Sequence, residues 1–77
     1  MKHSLKDLII NKNETVLKSI QQMDKLMRKL LIVVDEENKF ISVVSIGDIQ
    51  RAILKNIDLS TDIFNILRKD ATLLFQY

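Results

Sequence analysis

The sequence predicts an α+β unit in which a strand, a helix, two strands and a second helix follow one another, with a short helix in front. Three observations carry that order. Apolar residues recur at helical spacing in Val16, Ile20, Met23, Met27 and Leu30, with Lys18, Gln21, Gln22, Asp24, Lys25 and Arg28 on the opposite side; this is the stripe of a helix packed on a core. Two runs rich in β-branched residues, Leu30 to Asp35 and Phe40 to Val44, are separated only by Glu36-Glu37-Asn38-Lys39, and so short a polar link forces an antiparallel hairpin. Finally, the one glycine of the chain lies where the second run passes into an amphipathic segment, at Ser45-Ile46-Gly47-Asp48.

Each element has its own local signal. Ser4 followed by Asp7 is a helix-start pattern, and Leu5, Leu8 and Ile9 share one face of a short helix that Asn11-Lys12-Asn13 ends. Thr15-Val16 reads as the start of a brief first strand ahead of the long helix. The run from Leu30 to Asp35 has the continuous character of a strand buried on both faces. In the turn that follows, Asn38 is the residue best suited to a left-handed conformation. The second long helix is expected from about Gly47 to Lys55, with Ile49, Ala52 and Ile53 inward. A loop at 56–60 leads to a further helix capped by Ser60 or Thr61 and carrying Ile63, Ile66 and Leu67.

A faint repeat runs across the chain. Leu8-Ile9 returns as Ile66-Leu67, and Thr15-Val16-Leu17 returns as Thr72-Leu73-Leu74, at nearly the same separation. The chain is therefore read as a single unit over residues 1–70, with residues 71–77 the start of a second. Thr72 to Tyr77 is expected to be a strand that adds to the sheet of this unit or of a partner, since an open apolar edge invites pairing.

Composition narrows the function classes. A chain of 77 residues without cysteine and with one histidine has neither disulfides nor a histidine–cysteine metal site to reinforce a small core. Its apolar fraction of 47% and mean hydropathy of +0.05 exceed what so small a unit covers by itself. Association through the helical faces, as a homodimer, is the expected remedy. The net charge of +2 comes from interspersed acids and bases, not from the basic stripe of a nucleic-acid binder. No apolar run approaches the length of a membrane span, and a cytoplasmic location is the default expectation. Catalysis is disfavoured, because Asp35, Glu36 and Glu37 fall in a polar turn with no histidine beside them.

The chemistry concentrates at Ser45 and Asp48. A strand that turns directly into a helix leaves backbone N–H groups unpaired at the helix start, which suits an anion. A hydroxyl and a carboxylate at that mouth can hold the phosphate and the ribose of a nucleotide. Alternatively, Ser45 caps the helix and Asp48, three residues on, completes a capping box.

This order of elements resembles the cystathionine-β-synthase (CBS) domain. The resemblance rests on Thr15-Val16, on Leu31-Ile32-Val33-Val34-Asp35 as a strand, and on Ser45-Ile46-Gly47-Asp48 followed by the apolar Ile49. Within the family, Gly47 to Lys55 and Asp58 to Ile63 are most similar to CBS units fused to sugar-phosphate nucleotidyltransferases of the mannose-1-phosphate guanylyltransferase type. The resemblance implies a small three-stranded mixed sheet packed against two helices, units that pair, and a non-catalytic regulatory module tethered to a catalytic domain. It also implies a ligand such as AMP, ATP or S-adenosylmethionine. Asp48 would take the ribose hydroxyls and Ser45 the phosphate, Ile46 would present its backbone, and Thr15 with the Leu31 and Ile32 backbone would border the base. A ligand-free dimerisation module is the alternative. The chain departs from the family at Ser42 and Asn38, where glycine is common, and at Ile32, where proline is frequent. Ser42 is expected to crowd the cleft.

Overall fold

The structure, a computed structural model, describes residues 5–67. Its elements in order are a 3-10 turn η1 (Leu5–Leu8), β1 (Ile9–Asn11), α1 (Val16–Leu26), β2 (Leu30–Val34), β3 (Phe40–Ser45), α2 (Ile46–Leu54) and a 3-10 turn η2 (Ile63–Ile66). The sheet order is β1-β2-β3, with β1 parallel and β3 antiparallel to β2. This is the expected three-stranded mixed sheet with two helices. The expected cap at Ser4 and the expected strand at Thr72 to Tyr77 lie outside the described residues.

The first strand is not at Thr15-Val16. It is Ile9–Asn11, which the sequence reading assigned partly to the leading helix and partly to its break. Ile9, Ile10 and Asn11 register with Ile32, Val33 and Val34, and that pairing buries Ile10. A parallel pair needs a long crossover, and α1 supplies it. Thr15 instead caps α1: its Oγ1 accepts from the Lys18 amide at 3.1 Å.

α1 also stops earlier than its apolar stripe suggested. Met27 turns into the left-handed region at φ 54°. Its N–H donates to the Asp24 carbonyl at 3.2 Å, while that of Arg28 reaches the Met23 carbonyl at 3.0 Å. These two bonds are a Schellman ending, in which glycine is the usual left-handed residue. Met27 is consequently 89% exposed and Leu30 half-exposed, and Leu26 takes the buried place at the end of the helix. Ser19 is buried in the same helix and bonds the Val16 carbonyl at 2.6 Å.

The hairpin forms as read. Asn38 adopts φ 62°, and Asp35 holds the turn by accepting at Oδ1 from the Glu37 and Lys39 amides. β2 is covered mainly on one face, with Val34 at its end, next to the register shift, also buried. Leu31, Val33, Ser42 and Val44 are buried on the helical side, whereas Ile9, Ile32 and Val43 form a cross-strand row that stays partly open. Ser42 faces the helical layer beside its partner Val33. In α2, Ile49 and Ala52 are buried, but Ile53 is half-exposed rather than inward.

The last described segment is a single turn, and neither Ser60 nor Thr61 caps it. Asp62 holds that position, and Ser60 bonds Asp58 instead. This segment is stitched to the start of α1. The amides of Val16, Leu17, Ile63 and Phe64 donate to the carbonyls of Thr61, Leu59, Glu14 and Lys12. Ile63 is fully buried by this return and joins Ile10, Val16, Met23, Leu26, Leu31, Val33, Val44 and Ile49 in one core.

Candidate functional site

α2 begins as β3 ends, with no linker. Ser45 has extended backbone at φ −109°, ψ 165°, and its Oγ accepts from the Asp48 amide at 3.2 Å. The Asp48 carboxylate returns the contact. Its Oδ2 accepts from the Ser45 amide at 2.8 Å and from the Ser45 hydroxyl at 3.0 Å, so a complete capping box is present. Arg51, one turn along, donates through Nη2 to Asp48 Oδ1. Asp48 is thus a buried carboxylate, 9% exposed, with a cation across its outer oxygen.

The capping box holds in this state, and it sets a condition on any ligand. A carboxylate has about four lone-pair directions, and the described residues alone already make three contacts to Asp48. A ribose diol gains both oxygens only by displacing Arg51. Ser45 spends its single hydroxyl proton on Asp48, so a phosphate taken by Ser45 requires that proton to turn outward. Ile46 sends its amide to the Lys29 carbonyl at 2.9 Å. Among the described residues no buried side-chain nitrogen or oxygen lacks a hydrogen bond.

The six sequence-derived residues fall at two ends of the sheet. Leu31 and Ile32 pair with Val44 and Val43 on β3, close to Ser45, Ile46 and Asp48. The Leu31 side chain is fully buried, whereas Ile32 sits in the middle of the open apolar row. Thr15 is at the opposite end. Asn11 is level with Val34, and the 11 residues of α1 then run back toward Lys29, a distance of about 16 Å at ~1.5 Å per residue. One unit therefore does not gather all six around one small molecule.

Sequence reasoning missed the surroundings of Asp48. A cavity of about 210 Å3 is lined by Asp48, Arg51, Ala52, Lys55, Ile57, Asn65, Ile66 and Leu67. Asp48 and Arg51 of α2 and Lys55, its C-cap, occupy positions i, i+3 and i+7, a spacing that puts them on one face and was available in the chain. A second, mainly apolar groove of about 400 Å3 lies on the helical side, between Ile20, Met23, Met27 and Ile46, with Asp24, Arg28 and Lys29 at its rim.

Away from the cavity, two exposed carboxylates have lowered pKa values. The Asn13 side chain donates to Glu36 at 2.8 Å and holds it below its ordinary value of 4.5, with Lys12 assisting. Ser60 holds Asp58 below 3.8 by two hydrogen bonds. Among the described residues no group of three or more histidine, cysteine, aspartate or glutamate side chains is placed to hold a metal ion, and no helix is long and apolar enough to cross a membrane.

Comparison with known proteins places this arrangement. Solved structures similar to the chain include the CBS domain protein PAE2072 from Pyrobaculum aerophilum complexed with AMP, at 23% identity and a TM-score of 0.72, over 77% of this chain and 47% of that one. CbpB in complex with c-di-AMP is 18% identical with a TM-score of 0.70, over 78% of this chain and 43% of that one. A CBS domain pair/ACT domain protein from Thermotoga maritima is 25% identical with a TM-score of 0.64, over 87% of this chain and 61% of that one. The chain thus spans roughly half the length of the structures it matches. No curated protein matches it significantly. The family profile of the CBS domain matches residues 4–55, from the leading turn through the Ser45–Asp48 capping box to the end of α2, and the chain belongs to the CBS domain family.

Proposed function

We propose that the chain is a non-catalytic regulatory unit that pairs with a second unit and binds an adenine nucleotide at the start of α2. The observation that carries this reading is Asp48, a nearly buried carboxylate opening on a cavity beside Arg51 and Lys55. It sits in the Ser-x-x-Asp pattern of a family whose members include proteins solved with AMP and with c-di-AMP. The two-ended distribution of the candidate residues supports pairing. When two units lie head to tail, Thr15 of one comes beside Ser45 and Asp48 of the other. The open row of Ile9, Ile32 and Val43 and the groove around Met27 are apolar faces available for that contact.

The second unit is either another copy or a continuation of the chain beyond residue 70, where the repeat resumes. The regulated partner is a tethered cytoplasmic nucleotidyltransferase on this reading, supported by the resemblance of Gly47 to Lys55 and Asp58 to Ile63 to such proteins. Melting of the 77-residue chain with millimolar AMP, ATP, S-adenosylmethionine and adenosine tests the ligand. The reading expects a rise in Tm with at least one of the phosphorylated ligands. No rise with any of the four favours the alternative, a ligand-free dimerisation module, for which the exposed Met27, Ile53 and Leu54 already provide a reason.

A further inference from the structure

Arg51 does two opposed things at the cavity. Its guanidinium occupies Asp48 Oδ1, the oxygen a ribose diol needs, and its side chain is half-exposed. Lys55, one further turn along α2, lines the same cavity. The remaining lining comes from Ala52, Ile57, Asn65, Ile66 and Leu67. At about 210 Å3 the space suits one phosphate-bearing portion of a ligand rather than a whole nucleotide. Gly47 adds a second observation. Its φ is not positive, and a methyl there would rest 3.6 Å from both Arg51 Nη1 and Ser45 Oγ, an ordinary contact. The fold therefore does not demand glycine at 47, yet the bare backbone leaves room directly beside the guanidinium.

We propose that Arg51 is an exchangeable latch. Without ligand it neutralises Asp48; with ligand it yields that carboxylate to a ribose diol and turns with Lys55 onto the phosphate. Recognition of the two halves of the ligand is thereby coupled. A ribose without phosphate must displace Arg51 and offers the released cation nothing. A ligand with both groups exchanges one charge-assisted pair for another. The site is thus selective for 5′-phosphorylated nucleosides, and Arg51 is the residue that sets the selectivity. This inference rests on the nucleotide reading above and deepens it.

Titration calorimetry with adenosine and AMP on the 77-residue chain, its Arg51→Met variant and its Arg51→Lys variant tests the latch, with circular dichroism to establish that the half-exposed substitutions leave the helices intact. Arg51→Met should bind adenosine about two- to fivefold more tightly, because the ion pair through the half-exposed Arg51 no longer competes. It should also lower the preference for AMP over adenosine about tenfold, because a charged hydrogen bond to phosphate is lost. Arg51→Lys should keep most of the preference. If AMP binds and the AMP-to-adenosine ratio is the same in wild type and Arg51→Met, the latch is wrong and the nucleotide reading stands. If neither ligand binds any of the three proteins at millimolar concentration, both are wrong.

Discussion

The two long helices start in contrasting ways, although each follows a strand and each is capped by a hydroxyl. At α1, Thr15 makes one cap bond to the Lys18 amide, and the amides of Val16 and Leu17 are consumed by carbonyls of Thr61 and Leu59. Val16 beneath them is fully buried. This start is walled in by the chain's own backbone. At α2, Ser45 and Asp48 satisfy each other, and the half-exposed side chain of Arg51 lies on the other carboxylate oxygen. Backbone carbonyls cannot be exchanged for a ligand without unfolding the contact, whereas a half-exposed arginine can. The same local rule, that a helix start must find acceptors, therefore yields a backbone anchor in one place and, on the latch proposal, an exchangeable site in the other.

The largest effect expected from breaking this contrast is at Asp48. Asp48→Ala leaves the Ser45 amide and hydroxyl without their acceptor near the core, which costs about 1–3 kcal/mol, more than an exposed dipole-favouring acid contributes. Affinity for AMP should fall at least tenfold in the same variant. Chemical denaturation and calorimetry read the two losses, and a stability loss below ~0.5 kcal/mol would show that the capping box is incidental.

Next is Thr15→Ala, which should cost about 1 kcal/mol, as N-cap removals do. Any affinity change should be equal for AMP and adenosine, because Thr15 is assigned to the base and not to the phosphate. A loss confined to AMP would overturn the assignment.

Met27→Gly addresses the far end of α1. It should raise stability by up to ~1 kcal/mol by relieving a left-handed methionine. If the groove beside Met27 is a pairing surface, sedimentation equilibrium should also show weaker self-association; unchanged association would remove this end of α1 from the interface.

The smallest effect is electrostatic. Glu36 and Asp58 have lowered folded pKa values, so each favours the folded state above its ordinary value of 4.5 or 3.8. That contribution is lost as pH falls through the lower folded values. Both groups are fully exposed, so Asn13→Ala should shift only the acid limb of the stability–pH profile, slightly and upward in pH. A change near neutrality would contradict it.

Much of the fold was legible because its signals are local. The hairpin at Glu36 to Lys39, the left-handed Asn38 and the strand-to-helix junction at Ser45 each follow from a few adjacent residues. The first strand was not, because Ile9–Asn11 is too short to announce itself and becomes a strand only through Ile32 to Val34. The end of α1 was misplaced because Met27 and Leu30 continue the apolar spacing while the backbone turns away. At the site, Ser45 and Asp48 were legible as a capping pair. The cavity was not, since Asn65 to Leu67 come back to α2 only through the backbone stitch at Glu14 to Leu17.

That stitch separates two definitions of a module. The family profile ends at Lys55, yet Ile63, eight residues later, is fully buried and its amide is bound to Glu14. The segment recognisable by descent is therefore shorter than the segment that packs into one core. A gene boundary drawn at Lys55 would inherit the signature and lose the keystone. In a tandem duplication the copied stretch has to run at least to Leu67 for each copy to close its own core.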